Sequence, residues 1–393
     1  MKTTAEPCPG ERTRGGSRQT LRVRVLSRLA SPRTRVGLML LCMFLSWFSW
    51  SMGRALTAPG GDSIAARVAE WARDHHLGPA VTLLEQATYT PPKIGGSPSI
   101  PVNDSTTPMS ANPRAQATRI PPLLASPAGP ALPGEGAWGV LATVHGSPAI
   151  FGTRLRPDAV HTSYLAGIVS MDQRLTRFEL HPGAQEPGAG HWRTPTWIPP
   201  RSRTGLLATF NGGFKLNASG GGFYLNGAAK GALTSSAASL VFYRDGHVAV
   251  GAWGRDVSMT DAVVGVRQNL RLIVDQGSIP ASVDKNVQGG WGFTLGGAYH
   301  VWRSGVGVTT DGRLVFVYGP ALSVHSLANL LKEADCIEAM QLDINPAWMS
   351  YMYYTPSPDP ANPTPVKFLA GQQRPADRYY SPSSRDFTAV YTR

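Results

Sequence analysis
The chain has 393 residues, 42% of them hydrophobic and 16% charged, with a formal net charge of +12. That length admits two or three domains, and the charge by itself would suit nucleic acid, but its placement argues against that partner. Residues 1–35 hold nine Lys and Arg against Glu6 and Glu11, so they carry +7 and leave +5 for everything that follows, whereas a nucleic-acid patch belongs on the folded domain.

A basic cluster directly before an apolar run is the cytoplasmic flank of a membrane segment. The run is Val36 to Met52, uncharged between Arg35 and Arg54. Trp47 and Trp50 fall toward its outer end, where amphipathic rings favour the interface. About 20 residues cross a ~30 Å hydrocarbon core, so residues 36–53 read as a short single-pass anchor behind a cytoplasmic tail of residues 1–35. A cleaved signal peptide is the competing account; both readings put the C-terminal part outside the cytoplasm, and the anchor reading holds it at the cell membrane. Cys8 and Cys42 fall in the tail and the span, so Cys336 is alone beyond them. That leaves no intrachain disulfide outside and no Cys-based metal site.

Residues 60–88 read as helical, capped by Asp62 or Ser63, with Ile64, Val68 and Trp71 on one face and Leu77-Gly78-Pro79 as an interruption. The neighbouring His75 and His76 read as solvated. Residues 89–135 read as an extended linker: eleven prolines fall in 90–135 with almost no aromatic residue, too little apolar surface to offset the entropy of ordering. From residue 136 to 393 short β-prone runs alternate with turn signals. Strands are expected at Trp138–Val144, Val160–Met171, Thr176–Leu180, Leu206–Phe210, Ser239–Tyr243, Val248–Ala252, Leu270–Asp275, Gly307–Thr309 and Leu314–Tyr318. Asp245-Gly246 and Asp311-Gly312 mark hairpin turns. A helix is predicted from Ser323 to Ala334 and a buried strand over Ile337–Leu342, running into Asp343. The fold class is α+β, a strand-rich single domain with few helices.

Three features stand apart from scaffold. Asn211-Gly212-Gly213-Phe214 follows an apolar strand, where glycines let a ligand approach the backbone closely or simply form a turn. Arg303 opens a hairpin among small residues, and an arginine there grips a phosphate or serves as a surface charge. Asp343, followed by Ile344, Asn345 and Pro346, is a carboxylate at the end of a buried strand, suited to chemistry or to capping the next turn.

In order, these pieces resemble the phosphodiester glycosidase family, whose pattern runs from an Asn-Gly-Phe strand end through an Arg-x-x-x-Gly hairpin and a helix to Leu-Asp-Gly-Gly-Gly-Ser. The resemblance covers roughly residues 135–393, on 211–214, 303–312, 323–334 and 339–343. The segment from Ala69 to Gln86 and the closing Ser384–Arg393 also resemble a membrane-anchored actinobacterial branch. One departure stands out: Ile344-Asn345-Pro346-Ala347-Trp348 replaces the triple-glycine loop, which elsewhere aims backbone N–H groups at an anion.

The resemblance implies an extracytoplasmic hydrolase that cleaves sugar-1-phosphodiesters in surface glycans or wall polymers. On that reading Arg303 binds phosphate and Asp343 is base, nucleophile or sugar-positioning group. Asn211, Gly212, Gly213 and Asn345 bind substrate, and His325 and Asp275 are further acid–base candidates. A non-catalytic glycan-binding module or a surface scaffold are the alternatives. The implied partners are a phosphodiester-linked glycan and the membrane. No cofactor is expected, although oxygen ligands leave room for a divalent cation. No zinc-protease, Walker, dinucleotide or serine-hydrolase motif occurs in the sequence.

Overall fold
The computed structural model describes residues 32–58, 63–102, 120–188, 190–284, 290–292 and 299–393. Two compact units divide the chain, residues 1–58 and 59–393. Most of the basic tail and Asp62 lie outside the described residues. In the first unit Pro32–Leu56 forms helix α1, with its apolar side chains exposed. Among the described residues it is the one helix long and apolar enough to cross a membrane. Its 25 residues span about 38 Å at 1.5 Å each.

The second unit opens with helices α2 (Ile64–Asp74) and α3 (Gly78–Thr88). Ser63 caps α2, its hydroxyl accepting from the amide of Ala66 at 3.2 Å. Residues 89–102 and 120–135, read from sequence as a spacer, lack helix and strand, with turns within 127–135, and are fastened to the domain; residues 103–119 lie outside the described set. Backbone groups left unpaired outside those turns are satisfied on the neighbouring domain. Gly95 N donates to Val160 O at 2.7 Å, and Arg154 Nη1 donates to Val102 O at 3.0 Å. Val102 and Leu124 are buried, and the carboxylate of Glu135 pairs with Arg156 at 3.0 Å.

Among the described residues seventeen strands follow in chain order: β1 (Gly139–Val144), β2 (Ser147–Leu155), β3 (Ala166–Met171), β4 (Thr176–His181), β5 (Leu206–Asn211) and β6 (Phe223–Leu225). Next come β7 (Ala228–Lys230), β8 (Ala238–Tyr243), β9 (Val248–Ala252), β10 (Val263–Gln268), β11 (Leu272–Val274) and β12 (Val301–Thr309). The last are β13 (Leu314–Leu322), β14 (Cys336–Gln341), β15 (Tyr351–Thr355), β16 (Thr364–Lys367) and β17 (Phe387–Thr392). They form a seven-stranded sheet in the order β1-β2-β3-β13-β12-β14-β11 and two five-stranded sheets, β7-β6-β10-β8-β9 and β16-β15-β5-β17-β4.

Helix α4 (Val324–Glu333) starts at Ser323, which forms a reciprocal cap with Ser326. Its Leu327, Leu330 and Leu331 are fully buried in one core with Ile273, Val315 and Val317 of the large sheet. A second core joins Phe316, Val306 and Met340 of that sheet to Phe210, Val390 and Tyr351. The fold is α+β and strand-rich, as read from sequence.

Two expected strands are shorter than their apolar runs. Residues 160–165 form a loop because the Asp158 carboxylate accepts from the amides of Val160 and His161 and turns the chain. Leu270 has a φ of 57°, outside extended geometry, so β11 begins only at Leu272.

Candidate active site
Strand β14 ends where β5 ends and β17 begins, at the junction of two sheets. Ser304 in β12 ties the pieces together: its hydroxyl accepts from Asn211 Nδ2 at 3.0 Å and from the amide of Asp343 at 3.2 Å. Asn211 Oδ1 in turn accepts from Ser350 N at 3.2 Å, so its amide group is buried and fixed. Gly212 lies so close to Asp386 that a Cβ there would stand 2.0 Å from the carboxylate. At Gly213 a Cβ would meet Asn269 at 3.1 Å. The structure thus brings Asn211, Gly212, Gly213 and Asp343 together from distant parts of the sequence.

Asp343 is 4% exposed. Burial pushes its carboxyl up to about 6, against the pull of Arg385 and of the Asn345 and Ile344 amides, while Glu70 adds to the rise. Its Oδ1 accepts from the amides of Ile344 at 2.7 Å and Asn345 at 2.9 Å. Asn345 repeats the pattern, its Oδ1 accepting from Ala347 N at 2.9 Å. These nested turns give the departure from the glycine loop a physical meaning. The amides of Ile344, Asn345 and Ala347 are engaged by side chains of the loop itself, and Pro346 has none to offer. Trp348 is buried with three guanidinium groups over its ring, Arg374 at 4.4 Å, Arg385 at 4.9 Å and Arg378 at 6.0 Å.

The positive charge beside Asp343 comes from side chains instead. Burial alone would lower the pKa of Arg385, but Glu70, Asp343, Glu186 and Asp386 around it raise it. Arg385 donates to Glu70 at 3.0 Å, and Lys215, one residue past the Asn-Gly-Gly-Phe motif, pairs with the same carboxylate. Burial works against Glu70's charge, yet Arg385 and Lys215 hold its carboxyl below the usual range. Behind this cluster Arg267 and Asp386 form a buried pair at 2.9 Å, and Arg267 also donates to Phe214 O and Gln268 O.

Arg303 is placed differently from the sequence reading. It is buried, and it donates to Leu322 O and Gln341 Oε1, each at 2.8 Å, and to Tyr299 O at 3.2 Å. Burial lowers it to about 10, and among the described residues no carboxylate pairs with it. It therefore braces the ends of β13 and β14. His325 stands exposed on the first turn of α4, paired with Asp284 at 2.8 Å. Asp275 pairs with Arg255 at 2.6 Å and neighbours Glu338. Glu338 and Asp343 are five positions apart, about 16 Å along an extended chain. Neither His325 nor Asp275 shares a hydrogen bond with Asp343 among the described residues.

Sequence reasoning missed Arg385, Lys215 and Glu70. Arg385-Asp386 directly before the apolar run Phe387–Thr392 was the available signal for the first, and proximity to Asn211 for the second. Nothing marked Glu70 in a charged amphipathic helix.

Part of the chain that builds this constellation, a buried carboxylate at a strand end beside a gripped anion, is similar to the phosphodiester glycosidase family. The family model, phosphodiester glycosidase, matches residues 204–343, from before β5 to Asp343 itself. Among solved structures, the catalytic domain of zebrafish N-acetylglucosamine-1-phosphodiester alpha-N-acetylglucosaminidase, auto-inhibited by its pro-peptide, aligns with 14% identity and a TM-score of 0.40. That alignment covers 65% of this chain and 87% of the zebrafish one. A hypothetical protein from Synechocystis aligns with 11% identity and a TM-score of 0.35, over 66% of this chain and 65% of that one. No curated relative matches the sequence.

Proposed function
We propose that the chain hydrolyses sugar-1-phosphodiesters at the outer face of the cell membrane, held by α1, with phosphodiester-linked surface glycans or wall polymers as substrates. The observation that carries this reading is the carboxylate of Glu70 held by Arg385 and Lys215 beside Asp343. A site that already binds one anion suits a phosphodiester, and the phosphate displaces Glu70 to enter it. Guanidinium and ammonium groups take over the anion grip that a glycine loop's amides supply elsewhere.

With a pKa of about 6, Asp343 is ionised at neutral pH yet still basic enough to take a proton. Its Oδ2 accepts no hydrogen bond from the described residues and is available for the attacking water. Water adds at the sugar carbon as its bond to the phosphate oxygen breaks, and the phosphomonoester departs with the bonding electrons. Arg385 and Lys215 stabilise the charge that builds on that oxygen. Asn345 positions the sugar, Asn211 positions Asp343 through Ser304, and Arg303 acts through Gln341 rather than on the phosphate.

The test is sugar release from a panel of sugar-1-phosphodiesters by the full chain in detergent micelles, beside Asp343→Ala and Arg385→Gln. Release that both substitutions abolish, with circular dichroism unchanged, is the expected result. Binding without release in the unsubstituted protein would instead mark a glycan-binding module.

A further inference from the structure
The rim of the large sheet carries a second constellation that the reaction does not use. The loop between β2 and β3 supplies Asp158 and His161, and the residue before β12 is His300. One donor atom from each of the three lies within 4.8 Å of the other two. The imidazoles of His161 and His300 are 4.2 Å apart between centroids, tilted by 42°. We propose that Asp158, His161 and His300 bind one divalent transition-metal ion of the zinc class, with the remaining coordination positions filled by water.

The donor set fits that class. Two imidazoles and one carboxylate suit zinc and its neighbours, and three protein ligands with an open position form a common tetrahedral site. The carboxylate is oriented in advance: Asp158 Oδ1 accepts from the amides of Val160 at 2.8 Å and His161 at 2.7 Å. Oδ2, whose one contact is with His161 Nδ1 at 3.0 Å, is left as the ligand atom. A metal takes the place of the proton shared in that contact and releases it to solvent.

Tetrahedral zinc holds its donors about 3.4 Å apart, given bonds near 2.1 Å. The trio closes to that spacing by rotation about histidine χ2, a soft torsion. The backbone is braced on both sides. Tyr89 donates its hydroxyl to His300 O at 3.0 Å, Gly95 N donates to Val160 O at 2.7 Å, and Thr162 Oγ1 donates to Gly96 O at 2.8 Å. The ion would therefore pin the β2–β3 loop to the start of β12, beneath the extended segment that follows α3. His161 is buried and His300 half-buried, which shields the ion while leaving a way in.

The proposal does not depend on the glycosidase reading, because its readout is metal. The full chain in detergent micelles is stripped with chelator, then dialysed to equilibrium against Zn2+ alone, and zinc is counted per chain. The unsubstituted protein and His247→Ala, which removes another Asp-paired histidine, should bind one equivalent. His161→Ala and His300→Gln should weaken binding by about 10–100-fold or more. Their circular dichroism in chelator should match that of the unsubstituted protein. Should His161→Ala misfold, the half-buried His300→Gln decides alone. No zinc on the unsubstituted chain, or equal zinc on every variant, would overturn the proposal.

Discussion
Glu338, near the start of β14, and Asp343, just past its end, are both held above the usual carboxylate range, and the reasons differ. Glu338 rises to about 7 through burial and the repulsion of Asp256 and Asp275, with Arg255 nearby to neutralise them. It is half-buried, faces other acids and, among the described residues, forms no ion pair. Asp343 rises to about 6 through complete burial, beside a buried arginine that already grips an anion. A raised pKa alone does not distinguish a structural acidic patch from a reaction centre. Asp343 differs from Glu338 in the fixed cation beside it, its oriented carboxylate and its place at the end of the matched residues.

The contrast can be broken in several ways. Asp343→Asn should lower kcat/KM for a sugar-1-phosphodiester by about 10²–10⁴-fold, the range typical of a lost general base. Arg267→Ala strands Asp386, fully buried, without its partner; urea unfolding should show a loss of about 3–5 kcal/mol.

The pH dependence of stability follows from Asp343. Its folded carboxyl at about 6 exceeds the ordinary value of 3.8, so the folded state holds the proton more tightly. Its stabilising contribution is complete below about pH 4 and is lost as pH rises through about 6, roughly 3 kcal/mol in all. In the Asn variant, melting temperature against pH should lack that decline. Glu70→Gln should lower KM by about 2–10-fold, because the anion site is then no longer self-occupied. It should also move the acid limb of the activity profile to lower pH, since Glu70 helps to raise Asp343.

The sequence was informative where chemistry and local pattern coincide. The motif around Asn211, the capped helix α4 and the strand into Asp343 were all legible, because each is set by neighbours a few residues apart. Strand β2 escaped because all but its first two residues are buried and its run contains Gly152 and Arg154, which break alternation. Strands β15 to β17 were hidden among tyrosines and prolines. The true company of Asp343 was illegible for a topological reason: Glu70, Lys215 and Arg385 come from a helix, a loop and a chain end that only tertiary pairing unites. Arg303 misled because a hairpin arginine and a buried brace look alike until the acceptors Leu322 O and Gln341 Oε1 are seen.

The most direct measurement compares the two ends of β14 in one assay. Sugar release from the best substrate of the panel would be timed for the full chain, Asp343→Asn and Asp275→Asn, each confirmed as folded. The account predicts loss at Asp343 and a rate within about twofold of the unsubstituted enzyme at Asp275, whose acidic neighbours serve structure. Equal loss at both positions, or loss at Asp275 alone, would contradict it and move the reaction centre to the other end of the strand.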